Sequence, residues 1–118
     1  MADQNPVQVI EKNPGTKIEW RQNGTKLIFG DDDLTIKCAT RQRDWLVHDD
    51  VCMDENGNLV IGVGVGRYYV AQVDIPEKQY VEVPDPDAEE KDATKREALP
   101  LDMGEVVLTL WSIEEFKI

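Results

Sequence analysis

The sequence predicts an all-β protein: a small antiparallel β-sandwich or barrel of about seven to nine short strands with one long acidic loop. Three observations carry this expectation. Apolar residues recur with a period of two in one segment after another, which is the repeat of a strand with one face buried. Clusters of Gly, Asn, Asp and Pro interrupt those segments roughly every eight to twelve residues, the spacing of hairpin-connected strands. No segment carries apolar residues at helical spacing; Glu89 to Leu99 contains good helix formers but only one sizeable apolar side chain, Leu99.

A first strand is expected over Val7 to Glu11, closed by the turn-forming cluster Asn13-Pro14-Gly15. The next unit is a hairpin, Lys17 to Gln22 and Thr25 to Phe29 about Asn23-Gly24, a pair suited to the positive φ values of a type I′ loop. That turn predicts Gln22 opposite Thr25, Trp20 opposite Leu27 and Ile18 opposite Phe29, and a core face of Ile18, Trp20, Leu27 and Phe29. Gly30-Asp31-Asp32-Asp33 leads into a strand over Leu34 to Ala39 with Leu34, Ile36 and Cys38 inward. Thr40 to Asp50 has no clean period and reads as a connection to a strand over Val51 to Met53, followed by a second turn at Asp54 to Asn58.

The organising stretch is Asp54 to Ile75. Leu59, Ile61, Val63 and Val65 alternate with Val60, Gly62, Gly64 and Gly66, after which Tyr69, Ala71, Val73 and Ile75 alternate with Tyr68, Val70, Gln72 and Asp74. The bare glycine face invites close approach by a neighbour, so this hairpin is expected to template the other strands. A short strand follows over Tyr80 to Val83. Residues 84–100 then hold three prolines, six acidic and three basic residues and little to bury, which predicts a mobile acidic loop. Val106 to Ile113 is apolar on both faces and belongs in the middle of a sheet.

One domain, 1–118, accommodates all of this, because a chain of 118 residues can bury roughly two-thirds of its unfolded surface. The opening residues Met1 to Pro6 lack the apolar core of a signal peptide, no apolar run reaches the length of a membrane span, and two cysteines are too few for a disulfide framework. The expectation is a cytoplasmic protein with reduced thiols and no membrane partner. Against 13 basic residues stand 24 acidic ones, a formal charge of −11 that opposes binding to nucleic-acid phosphates.

The chemistry of enzymes finds few footholds. Gly62-Val63-Gly64-Val65-Gly66 lacks the third glycine of a dinucleotide fingerprint, where Arg67 stands, and is followed by strand-forming Tyr68-Tyr69-Val70 rather than a helix. Asp54, Asn56 and Asn58 begin like a calcium loop, but Leu59 and Val65 occupy the positions that need glycine and glutamate; a weak surface site shared with Asp49 or Asp50 is the residual alternative. The one histidine, His48, the one serine, Ser112, and Cys38 and Cys52 fall on segments expected to be packed or apart, with no zinc-type spacing. No catalytic residue, metal or cofactor is expected, and the protein is read as not an enzyme.

Of the aromatic residues, Trp20, Phe29, Tyr69 and Trp111 fit core positions, while Trp45, Tyr68 and Tyr80 are the candidate binding residues. No motif marks a family. In its overall texture, a small acidic β domain with a charged loop, the chain resembles accessory proteins of prophage structural gene clusters. The leading expectation is a non-enzymatic protein–protein interaction or assembly module whose partner is another protein or a second copy, reached by strand addition or by ordering of the 84–100 loop. Two alternatives are a small-molecule or carbohydrate-binding β-barrel using Tyr68, Tyr80 and Trp45 at its mouth, and an acidic inhibitor that mimics nucleic acid.

Overall fold

Ten strands, one helical turn and one 3-10 turn make up the described residues, 4–62 and 68–113, of the computed structural model. The strands are β1 (Gln8–Glu11), β2 (Trp20–Asn23), β3 (Lys26–Phe29), β4 (Leu34–Lys37), β5 (Val47–Met53), β6 (Leu59–Ile61), β7 (Tyr68–Ile75), β8 (Tyr80–Pro84), β9 (Thr94–Ala98) and β10 (Val107–Leu110). A four-residue helix, α1 (Cys38–Arg41), follows β4, and a 3-10 turn at Met103–Glu105 precedes β10. The large sheet has the order β1-β10-β7-β5-β6, the small one β2-β3-β4, and β8 and β9 pair only with each other. The fold is all-β, as its alternating pattern demands, and of the two expected architectures it is the sandwich: Leu27, Phe29 and Ile36 of the small sheet share one core with Val51, Val73, Ile75 and Leu108 of the large one.

β7 is the hub, hydrogen-bonded to β10 on one side and β5 on the other. Its alternation breaks at a bulge. Val51 pairs with Ala71 but Cys52 pairs with Tyr69, so Val70 is the extra residue, and Val70 and Ala71 are buried in succession. The expected template is therefore central in its second half only. Its first half, β6, is an edge strand of three residues, and Val63, Gly64, Val65 and Gly66 of the glycine alternation lie outside the described residues.

The β2–β3 hairpin forms in a different register from the one expected. Trp20 faces Phe29, Gln22 faces Leu27 and Asn23 faces Lys26, so the two-residue loop is Gly24-Thr25. Gly24 has φ +62° whereas neither Asn23 nor Thr25 takes a positive φ, the arrangement of a type II′ loop with glycine at its first position. The shift is by two residues, which restores the same faces; a shift by one would have inverted them. Ile18, Leu27 and Phe29 are buried as expected, and Trp20 is only half-buried.

Other departures have local causes. β4 ends at Lys37, two residues early, because the chain turns helical at Cys38. β5 begins at Val47, four residues before the expected strand, its polar His48, Asp49 and Asp50 having masked the pattern. β1 and β10 pair in parallel, the exception in an otherwise antiparallel fold, since strands from opposite ends of the chain are tied by no hairpin. At the second turn the Asp54 carboxylate accepts the backbone N–H groups of Asn56 and Asn58 at 2.9 Å each, and Gly57 takes φ +82°, so the calcium-like spacing serves an Asx turn. β10 lies inside the large sheet, as its two apolar faces require.

Within 84–100, read from the sequence as loop, Thr94–Ala98 is strand and pairs antiparallel with β8 from Tyr80↔Ala98 to Pro84↔Thr94. The segment has almost no apolar content because the resulting hairpin buries nothing. Every residue of β9 and all of β8 except Val83 are exposed, and no sandwich strand pairs with either. The hairpin is an arm. In keeping with it, the molecule measures 66 × 29 × 23 Å with a radius of gyration of 18.0 Å, where a compact chain of this length has about 13 Å.

Candidate functional site

The arm is rooted where the chain leaves β7. The side-chain amide of Gln42, just after α1, donates to the carbonyls of Pro76 at 3.1 Å and Glu77 at 3.4 Å. Gln42 is the one buried polar residue among those described, and its two bonds clamp the start of the arm to the end of α1. Lys78 N–H donates to the Arg43 carbonyl at 2.8 Å, and Leu99 N–H donates to the Gln79 carbonyl at 2.8 Å, closing the base of the hairpin. Above this base the Tyr80 hydroxyl donates to Asp44, and the Arg96 guanidinium lies 4.2 Å over the Tyr80 ring. The hydrogen bond that the Tyr80 hydroxyl donates to the Asp44 carboxylate raises the phenol's pKa above its ordinary value, and a phenolate there would also face a like charge.

Around the root the surface turns apolar. Trp45 is 62% exposed and Leu46 is 64% exposed, and Tyr80, Val81 and Leu99 are exposed with them. Leu46, Pro76 and Gln79 line an open hollow between the root and the start of β1. Open hollows of this kind do not enclose a small molecule, whereas an exposed tryptophan beside an arm suits a broad contact.

The three sequence-predicted binding residues do not converge. Trp45 and Tyr80 belong to the same end of the molecule, joined through Asp44, the chain neighbour of the one and the hydrogen-bond partner of the other. Tyr68 starts β7 opposite Met53, seven register positions from Ile75, about 23 Å along the strand at the usual rise. Among the described residues the strands form three separate sheets, and none closes into the barrel whose mouth was expected to gather all three. Tyr69 and Trp111, expected in the core, stack on each other at 5.8 Å, with Tyr69 exposed, Trp111 half-buried and Lys12 over the Trp111 ring. The bulge at Val70 displaces Tyr69 from the inward row and explains its position.

A second polar constellation lies on the outer face of the large sheet. His48 of β5 faces Asp74 of β7, with Nδ1 2.5 Å from Asp74 Oδ1 and Nε2 2.8 Å from Asp50 Oδ1; the Gln72 amide donates to the same Asp50 oxygen at 3.1 Å. Only the imidazolium can donate to both carboxylates at once, so the bond to Asp74, reinforced by Asp50, raises the His48 pKa above its ordinary 6.5. Both ring nitrogens are thereby engaged, and among the described residues no group of three or more His, Cys, Asp and Glu side chains is disposed to hold a metal ion. Cys38 and Cys52 are free and buried, and burial pushes the Cys38 thiol up to about 11, far from a reactive thiolate at neutral pH.

Sequence reasoning singled out Trp45 and Tyr80, which lie at the root of the arm, and did not single out Gln42. A lone glutamine in an irregular segment carries no periodic signal, and its partners are backbone carbonyls 34 and 35 residues away. No family model, no curated protein and no solved structure matches this chain. Among the described residues no helix is long and apolar enough to cross a membrane.

Proposed function

We propose that this protein is a non-enzymatic interaction or assembly module, of the kind represented by prophage structural accessory proteins, and that its contact is the β8–β9 arm with Trp45 and Leu46 at the root. One observation carries this reading: among the described residues a two-stranded hairpin stands outside the sandwich, with exposed faces and no strand paired to either of its outer edges. An isolated two-stranded hairpin is marginal in water, and unpaired strand edges are templates for further pairing, so such an arm is completed by whatever it docks against. Trp45 supplies what a hot spot requires, a large aromatic side chain whose burial is deferred until contact, and exposed Leu46 extends its apolar surface. The free, buried cysteines fit a cytoplasmic setting.

The test is site-specific photo-crosslinking in the native host, with a photoreactive residue at Val81 or in place of Leu46. A discrete crosslinked protein, lost when residues 85–93 are replaced by Asn-Gly, is the expected result. Absence of any protein adduct from both positions, in a chain shown to be folded and expressed, would sink the interaction reading.

A further inference from the structure

Charge is unevenly divided between the arm and the small sheet. The turn of the arm, 85–92, holds Asp85, Asp87, Glu89, Glu90 and Asp92 against Lys91 alone, a formal charge of −4 from five acidic and one basic residue. Strands β2, β3 and β4 hold no carboxylate at all, although acidic residues outnumber basic ones by 24 to 13 in the whole chain. What they do hold is Arg21, Lys26 and Lys37, all three exposed and all on the outer face, opposite in orientation to the inward Leu27, Phe29 and Ile36.

Lys26 and Lys37 are the informative pair. They are direct cross-strand partners, Lys26↔Lys37, a placement in which like charges repel. Arg21 is ion-paired with Asp32, but among the described residues neither Lys26 nor Lys37 has an anionic partner. An acidic chain with carboxylates to spare thus leaves two lysines side by side and unneutralised. Within one chain the arm pairs with no strand of the small sheet, and its root is fixed at the Gln42 clamp beside the large sheet.

We propose that the arm of one copy docks on the outer face of the β2–β3–β4 sheet of a second copy, its acidic turn neutralising Lys26 and Lys37. The inference rests on the interaction reading above and names the partner: another molecule of this chain. The contact joins two different surfaces, arm to sheet, and is satisfied by reciprocal exchange in a two-fold dimer or by head-to-tail addition in a ring or filament. Net charge of −11 opposes crowding of copies, but at physiological ionic strength repulsion beyond about 8 Å is largely screened while paired charges in contact are screened much less.

Charge reversal decides the matter, because every substituted side chain is exposed and outside the core. Light scattering coupled to size-exclusion chromatography, over a concentration series at about 0.15 M salt, is expected to show oligomers of the full chain. Glu89→Lys with Glu90→Lys, and separately Lys26→Glu with Lys37→Glu, are each expected to weaken association at least about tenfold, and the fourfold variant combining them to regain it. Circular dichroism confirms that each variant remains folded. A full chain that stays monomeric throughout, or oligomers indifferent to both reversals, would overturn the self-docking proposal. If the monomeric chain still crosslinks through Val81 or position 46 to a different protein, self-docking falls while the interaction reading stands.

Discussion

Phe29 and Trp20 are register partners in one hairpin, yet they differ in what their loss should do. Phe29 is fully buried between the sheets, and its truncation to alanine is expected to cost about 3–5 kcal/mol, enough to unfold a marginal domain. Trp20 lies at the rim, half-buried, so Trp20→Ala should cost clearly less; urea denaturation of the two variants measures the ordering, and equal losses would contradict the half-burial of Trp20. His48 makes a second prediction, in pH. Its folded pKa is raised by Asp74 and Asp50, so its stabilisation is fully present below the unfolded value of 6.5 and is lost as pH rises through the folded pKa. The wild-type midpoint should therefore fall over the range upward from about pH 6.5, and His48→Gln should flatten that part of the profile. The side chain is 44% exposed, so solvent screening keeps the effect small, and an identical slope in the variant would assign it to other groups.

Among the elements, the arm and the sandwich should be energetically separable. β8 and β9 contribute nothing to the shared core, so replacing residues 85–93 with Asn-Gly should leave the denaturation midpoint of the sandwich within experimental error. The clamp is the exception to this independence. Gln42→Ala takes the side-chain donor from the Pro76 carbonyl, a loss of at most about 1–3 kcal/mol at this part-buried site, while the Glu77 carbonyl keeps the Gln79 amide at 3.4 Å. Hydrogen exchange should then quicken at Lys78 and Leu99, whose amides close the base of the arm, while Val73 and Leu108 in the large sheet remain protected. Uniform loss of protection would mean that arm and sandwich open as one unit. A glutamine clamp suits a projecting hairpin, since it fixes the root without demanding apolar residues that the arm itself does not bury.

For the whole molecule, the consequence is shape. Solution scattering of a dilute sample should give an extended particle, in line with the 18.0 Å radius of gyration, and shortening the arm should lower it toward the roughly 13 Å of a compact chain. An unchanged radius after shortening would place the extension elsewhere. The strands were largely legible from residues alone: the inward rows Leu27 and Phe29, Leu34 and Ile36, and Ala71, Val73 and Ile75 could be read because burial of one face imposes a period of two, and β10 could be placed inside a sheet because both of its faces are apolar. Trp45 and Tyr80 could be singled out because neither fits such a row. What only the tertiary structure decided were relations between distant segments: the loop Gly24-Thr25 in place of Asn23-Gly24, the bulge that turns Tyr69 outward, the parallel pairing of β1 with β10, the donation of Gln42 to carbonyls 34 and 35 residues on, and the pairing of Thr94–Ala98 with β8. Each depends on the backbone geometry of a turn or on a partner far away in the chain, and the periodicity of a single segment contains neither.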